Sequence, residues 1–74
     1  MKFPLVRITW DDAATGNEWH DLPPGPLEPN HVTTAGFLLQ EDDRYLHLAH
    51  SVSDNQYNGD IQIPKVMIVT RETL

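Results

Sequence analysis

The stretch HVTTAGFLLQEDDRYLHLAHSV, residues 31–52, decides the fold. Residues 31–40 and 45–52 are rich in the β-branched, aromatic and aliphatic side chains that favour strands. The acidic segment EDDR between them, residues 41–44, is typical of a hairpin turn. Because this connection has only about four residues, we expect the two strands to pair antiparallel.

Three further strands are predicted on either side of this hairpin. Residues 5–10 alternate between apolar and polar side chains, as a half-buried strand does. After a polar loop over residues 53–60, residues 61–63 form a short strand that stops at Pro64, which cannot donate a ladder hydrogen bond. The chain then makes a one-turn bend, and residues 66–70 form the last strand.

The connection between the first two strands is long and rich in proline. Residues 11–30 contain four of the six prolines and show no periodicity, and long loops of this kind are usually functional or disordered. The predicted fold class is therefore all-β. We expect residues 1–74 to form one small, five-stranded, partly open barrel with a long Pro-rich loop between strands 1 and 2.

Composition excludes several classes of protein. The chain has 74 residues, no cysteine and a net charge of −6. The absence of cysteine excludes disulfides, thiolate nucleophiles and zinc fingers, and the acidity argues against nucleic acid as a partner. We find no signal peptide and no apolar run long enough for a membrane span, so a cytoplasmic location is expected.

Self-association is expected from the size of the chain. Five short strands leave two edges, and a small core without disulfides or metal gains stability when those edges meet another subunit. We therefore predict a homo-oligomer, either a dimer or a ring.

Catalytic and metal sites are not predicted. His47 and His50 have the H-x-x-H spacing, but in a strand this spacing places them on opposite faces, where one metal ion cannot bind both. The acidic pairs fit turn and capping roles. We therefore predict neither an enzyme nor a bound cofactor.

The aromatic residues suggest a ligand site. One interpretation is that Trp19 packs the long loop over the core; the other is that Trp19, His20 and Tyr57 form a stacking surface for a planar ligand such as a nucleobase. In the second interpretation Arg7 and Arg44 are expected to neutralise a phosphate. The predicted ligand-binding set takes these five residues together with His47.

The order of several short motifs resembles a family of short phage-encoded proteins of uncharacterised function. These motifs are W-x-D-A at residues 10–13 with Gly16 and Trp19, T-x-G-F-L at 34–38, E-D-D-x-Y-L-x-L-A at 41–49 and I-x-I-P-K at 61–65. The strand pattern and the proline bend are also similar to SH3-like and Sm-like small barrels, which commonly form rings. The chain departs from the RNA-binding Sm-like proteins because it is acidic and lacks their basic RNA-contact motif.

Two functions follow from these patterns. The resemblance implies a phage accessory protein of the counter-defence type, which sequesters a small anionic ligand such as a nucleotide second messenger at a subunit interface. The alternative is an acidic interaction module that inhibits a host protein or forms a minor component of the phage particle. In either case the expected location is the host cytosol.

Overall fold

Five β-strands and one turn of 3₁₀-helix make up the regular structure. A computed structural model describes residues 3–13 and 19–74. In chain order the elements are β1 (Leu5–Asp11), β2 (His31–Glu41), β3 (Tyr45–Val52), β4 (Tyr57–Pro64), η1 (Lys65–Met67) and β5 (Ile68–Thr73). The described residues contain no α-helix, which confirms the all-β class, and within them no helix is long and apolar enough to cross a membrane.

Strand β4 begins earlier than the sequence predicts. Ser53 closes the preceding turn, since its backbone N–H donates to the Gln56 carbonyl at 2.8 Å and its hydroxyl donates to the same carbonyl at 3.2 Å. The strand therefore starts at Tyr57, and the loop predicted over residues 57–60 is wrong. The turn-forming Gly59 lies inside the strand with φ of 66°, a backbone conformation that glycine adopts without strain.

All strand pairs are antiparallel, in the order β4-β3-β2-β1-β5. The first four strands follow one another as a meander, whereas β5 crosses back to pair with β1. Strand β2 is shared, because residues 31–37 pair with β1 and residues 37–41 pair with β3. The second part of β2 thus extends beyond its pairing with β1 and pairs with β3 alone.

A glycine and a bulge mark the point where β2 changes partner. A Cβ on Gly36 would lie 2.9 Å from the Ala49 carbonyl oxygen, so only glycine permits the close approach of β3. The β2–β3 register then shifts between Leu38 and Gln40, which leaves Leu39 without an opposite residue. A bulge of this kind bends a strand and increases its twist.

The core lies on one face of the curled sheet. The large side chains of the core cluster come from β1, β3 and β4, which are not all neighbours in the strand order: Val6, Ile8, Trp10, Leu46, Leu48 and Ile63. Ile8, Leu46 and Ile63 are completely buried. No second layer of described secondary structure covers this face, so the sheet keeps it from water by curling until strands from opposite parts of the order meet. The alternation predicted for β1 is confirmed at Val6, Ile8 and Trp10.

The long connection between β1 and β2 has no strand or helix over residues 12–13 and 19–30. Its base is closed by the Asp12 N–H, which donates to the Asn30 carbonyl at 3.0 Å, and by His31 Nε2, which lies 2.9 Å from Asp11 Oδ1. Every residue from 19 to 30 is exposed, and we call this segment the arm. Residues 14–18 of the predicted loop lie outside the described residues.

Trp19 does not cover the core. Its side chain is fully exposed, with a relative accessibility of 102%. The interpretation in which Trp19 packs the loop over the core is therefore wrong. The inner face is instead closed by Trp10, whose indole N–H donates to Thr34 Oγ1 at 3.0 Å across the β1–β2 pair.

Replacing Leu48 with Asp is expected to unfold the protein. Leu48 is 1% exposed in the core, and an unpaired buried charge costs several kcal/mol, roughly the whole stability of a domain this small. Far-UV circular dichroism during urea denaturation measures the loss. Ser51→Asp adds the same charge at an exposed position of the same strand and should keep the cooperative transition; equal stability of the two variants would contradict the assigned inner face.

Replacing Gly36 with Ala is expected to destabilise the fold, because the new Cβ would meet the Ala49 carbonyl oxygen at 2.9 Å and neither backbone can move without breaking the β2–β3 pair. Gly25→Ala on the arm is the matched control, since nothing lies within 4 Å of a Cβ there. Thermal denaturation should show a clearly lower Tm for Gly36→Ala alone. An unchanged Tm would mean that β3 does not approach β2 so closely.

Candidate functional site

Glu41 connects three separate parts of the fold. Its carboxylate, at the end of β2, lies 2.8 Å from Lys65 Nζ in η1. The same carboxylate receives both terminal guanidinium nitrogens of Arg71 in β5, at 2.8 and 3.2 Å. We call this group the Glu41 clamp. It joins β2 to β5, two strands that are not neighbours in the sheet.

The two cations keep the Glu41 carboxylate ionised. Hydrogen bonds from Arg71 first, and then from Lys65, lower the pKa of Glu41 from its ordinary 4.5 to about 2. Two positive charges share one negative charge in the clamp, so one unit of positive charge is left without a counter-ion inside it.

The hairpin turn before β3 is fixed by Asp42. Its Oδ1 accepts the backbone N–H groups of Arg44 and Tyr45, both at 2.8 Å. These two bonds are the main reason that the pKa of Asp42 is lowered, with a smaller contribution from the nearby charges of Lys65 and Arg44. The Lys65 N–H in turn donates to the Arg44 carbonyl at 2.8 Å. The turn and the clamp therefore form one connected structure.

An aromatic side chain and a cation lie together at this turn. The Arg44 guanidinium carbon lies 5.6 Å from the centre of the Tyr45 ring, within the range of a cation–π contact. Among the described lysines and arginines, Arg44 is the one without an ion pair. Beside it is an open cavity of about 130 Å³, lined by Gln40, Glu41, Asp42, Tyr45, His47 and Gln62.

His47 contributes a buried imidazole to this cavity. The residue is 6% exposed, although it lies on the face of β3 opposite the core. Its Nε2 lies 2.7 Å from Asp60 Oδ2 and its Nδ1 lies 3.1 Å from Gln40 Nε2. The Tyr57 ring covers it edge-to-face, with ring centres 5.5 Å apart. The contact with His47 also lowers the pKa of Asp60.

These contacts limit what His47 can do chemically. Gln40 is placed to donate to Nδ1, and Nε2 is placed to donate to Asp60, so both ring nitrogens have partners. A general base needs a free nitrogen within hydrogen-bonding distance of its substrate. Both ring nitrogens are therefore engaged by side chains of the protein in this arrangement.

The predicted ligand-binding residues divide into two groups. The fold brings His47 and Tyr57 into contact and places Arg44 near the same cavity. Trp19 and His20 lie on the exposed arm, and Arg7 pairs with Glu72 at 2.8 Å between β1 and β5. Of the six predicted residues, only His47 lines the cavity beside Tyr45.

The predicted ligand set omitted the residues that build most of this site. The sequence pattern places Glu41 in a turn and Tyr45 in a strand, and the predicted ligand set contains neither of them, nor Gln40 or Gln62. The two glutamines are polar residues inside otherwise apolar strands, which is the signal that was available for them. Lys65 and Arg71 are 24 and 30 residues from Glu41 along the chain, so their meeting depends on the curl of the sheet.

Two other surface cavities adjoin the turn between β3 and β4. The first, of about 150 Å³, is lined by Phe3, Leu39 and residues 52–57; the second, of about 280 Å³, is lined by residues 51–53 and 56–58. Neither contains a lysine or arginine. Within residues 3–13 and 19–74 no three His, Asp or Glu side chains come together as a metal site.

Comparison with known proteins finds no matching family model, no matching curated protein and no matching solved structure. The function has therefore to be inferred from the residues of this chain and their contacts.

Removing the Glu41 carboxylate tests the clamp by its effect on how the free energy of unfolding depends on pH. Because the pKa of Glu41 is lowered to about 2 by folding, its stabilisation is fully present above pH 4.5 and is lost as the pH falls from 4.5 towards 2. Glu41→Gln should lower the free energy of unfolding at pH 7 and flatten its decline with acid. Denaturant titrations between pH 7 and 2 measure both effects. Asp54→Asn, which removes an exposed carboxylate from the turn between β3 and β4, should behave like the wild type. A Glu41→Gln variant with the wild-type pH profile would contradict the clamp.

Proposed function

We propose that this chain is a non-enzymatic binding protein that assembles with copies of itself and holds a small anionic ligand of nucleotide type at a subunit interface. The site is the cavity beside Tyr45 together with Arg44 and the Glu41 clamp. Sequestration of the ligand, without chemical conversion, is the expected activity.

The convergence of cations carries this proposal. Arg44, Lys65 and Arg71 are three of the five lysines and arginines in the chain, and all adjoin Glu41 or the turn that follows it. Together with Glu41, Asp42 and Asp43, these three cations form a group with no net charge, which we call the cation group. The net charge of −6 therefore lies on other residues of the protein. An anion approaching this acidic protein therefore meets less repulsion here than at the residues that carry the net negative charge.

The chemistry of the cavity fits the two parts of a nucleotide. Arg44 has no ion pair among the described residues and is held over the Tyr45 ring, so it can bind a phosphate with little loss of side-chain freedom. Gln62 supplies an amide, and Tyr45 a hydroxyl, at the wall of the cavity. Such groups can pair with the edge of a planar base.

The need for a second subunit follows from the size of the cavity. Its volume of about 130 Å³ is well below the roughly 300–1,000 Å³ of typical ligand sites. One subunit therefore provides part of the surface that a nucleotide buries. A second copy placed over the opening would supply the remainder.

Two further features support this assignment. The strand order, with β5 paired to β1 and one 3₁₀ turn between β4 and β5, supports a small barrel of the SH3-like or Sm-like type. The resemblance to short phage-encoded proteins supports an accessory role against host defence. Both are analogies of fold and source, so the site itself carries the argument.

A specific observation favours an acidic interaction module as the second candidate. The whole net charge lies outside the cation group, and the arm adds fully exposed apolar side chains at Trp19 and Leu27. A basic host protein is the partner that this combination fits. In this case the cation group serves only to close the fold.

Thermal shift measurements with cyclic dinucleotides and ADP-ribose derivatives test the first candidate. A ligand at ten times its Kd should stabilise the folded protein by about 1.4 kcal/mol. In a domain of this size that corresponds to a rise in Tm of roughly 6–11 °C. Inorganic phosphate at the same concentration is expected to have a smaller effect, because it lacks the planar group.

Matched arginine variants locate the site. Arg44→Gln should abolish the rise in Tm, whereas Arg7→Gln removes an equal charge from the β1–β5 pair and should preserve it. Equal losses in the two variants would show that only net charge matters. If no compound in the panel raises the Tm and a basic host protein is captured instead, the second candidate is favoured.

A further inference from the structure

The arm has a composition unlike the rest of the surface. Trp19 and Leu27 are fully exposed and Leu22 is 88% exposed, which is unusual for side chains of this size. The arm also carries Asp21 and Glu28 but no lysine or arginine. It is thus an apolar segment with a purely negative charge.

A second surface has the complementary properties. Val66 in η1 is 90% exposed and the neighbouring Met67 is 43% exposed. Lys65 directly precedes them in the chain, and Arg71 shares with Lys65 a single carboxylate, that of Glu41. We call these four residues, Lys65, Val66, Met67 and Arg71, the η1 surface. It is apolar and carries excess positive charge.

We propose that the arm of a second copy of this chain docks on the η1 surface. Its leucines and tryptophan would cover Val66 and Met67, while Asp21 and Glu28 would approach Lys65 and Arg71. This docking rests on the self-assembly in the proposed function.

The structure favours a second copy over the arm's own subunit. Within one chain the arm and Val66 are both left exposed, so they do not cover one another. The prolines of the arm, at positions 23, 24, 26 and 29, favour an extended and stiff segment that resists folding back. A stiff segment also loses less conformational entropy when it docks on a partner.

A charge on the η1 surface tests the docking. Val66→Asp places a negative charge where the arm would lie, and the exposure of Val66 makes unfolding unexpected; circular dichroism checks this. Light scattering after size exclusion should show a rise in the dissociation constant of self-association of tenfold or more. Leu74→Asp adds the same charge after the far end of β5, at an exposed residue, and should leave association unchanged.

Fluorescence reports the arm directly. Because Trp10 is buried and Trp19 is exposed, a concentration-dependent blue shift of the emission reports burial of Trp19. The wild type should show the shift and Val66→Asp should not. If the Trp19 emission is already blue-shifted at the lowest concentration and does not change as the concentration rises, the arm folds onto its own subunit. This result would overturn the proposal.

Mixing two defective variants separates the two proposals. The variant Trp19→Ser/Leu22→Ser/Leu27→Ser keeps the η1 surface, and Val66→Asp keeps the arm. Each alone should fail to associate, and an equimolar mixture should form a heterodimer. If both variants self-associate as the wild type does, the docking alone is overturned. If the wild type stays monomeric at micromolar concentration, both the docking and the interface site are overturned. The thermal shift with cyclic dinucleotides tests ligand binding independently.

Discussion

A single sheet has to exclude water from its own inner face, and the rest of this structure depends on that constraint. With no second layer among the described elements, Ile8, Leu46 and Ile63 become fully buried only because the sheet curls. The curl is concentrated in β2, where Gly36 admits the close approach of β3 and the unpaired Leu39 bends the strand. Local features of one strand thus determine the enclosure of the whole core.

The curl also creates the candidate site. When β2 bends away from β1, its last residue, Glu41, comes within hydrogen-bonding distance of Lys65 and Arg71 from the opposite part of the strand order. The same contacts that hold the curled sheet concentrate positive charge beside Tyr45. Closure of the fold and electrostatics of the site therefore depend on one carboxylate, so a change at Glu41 affects both.

The sequence predicted the strands better than the site, for a physical reason. Alternation and strand-forming composition are local properties; alternation located β1, and composition located β2 and β3. These patterns missed the start of β4 because the Ser53 turn is tighter than the polar loop suggested. Contacts such as His47 with Tyr57 depend on register and bending, which residue spacing alone does not specify. The exposure of Trp19 was equally hard to predict from the sequence, since a large apolar side chain is ordinarily expected to pack.

In the proposed function, the ionisation of the clamp determines which positive charges an anionic ligand would contact. Because the pKa of Glu41 is about 2, its carboxylate stays charged throughout the physiological range, and protonation does not release Lys65 or Arg71. An incoming anion must therefore use Arg44 and the one unit of positive charge that the clamp leaves uncompensated, or else displace the carboxylate. A ligand with a single weak charge gains little from either route. The proposed ligand, with several phosphate oxygens on one rigid group, would contact more than one of these cations.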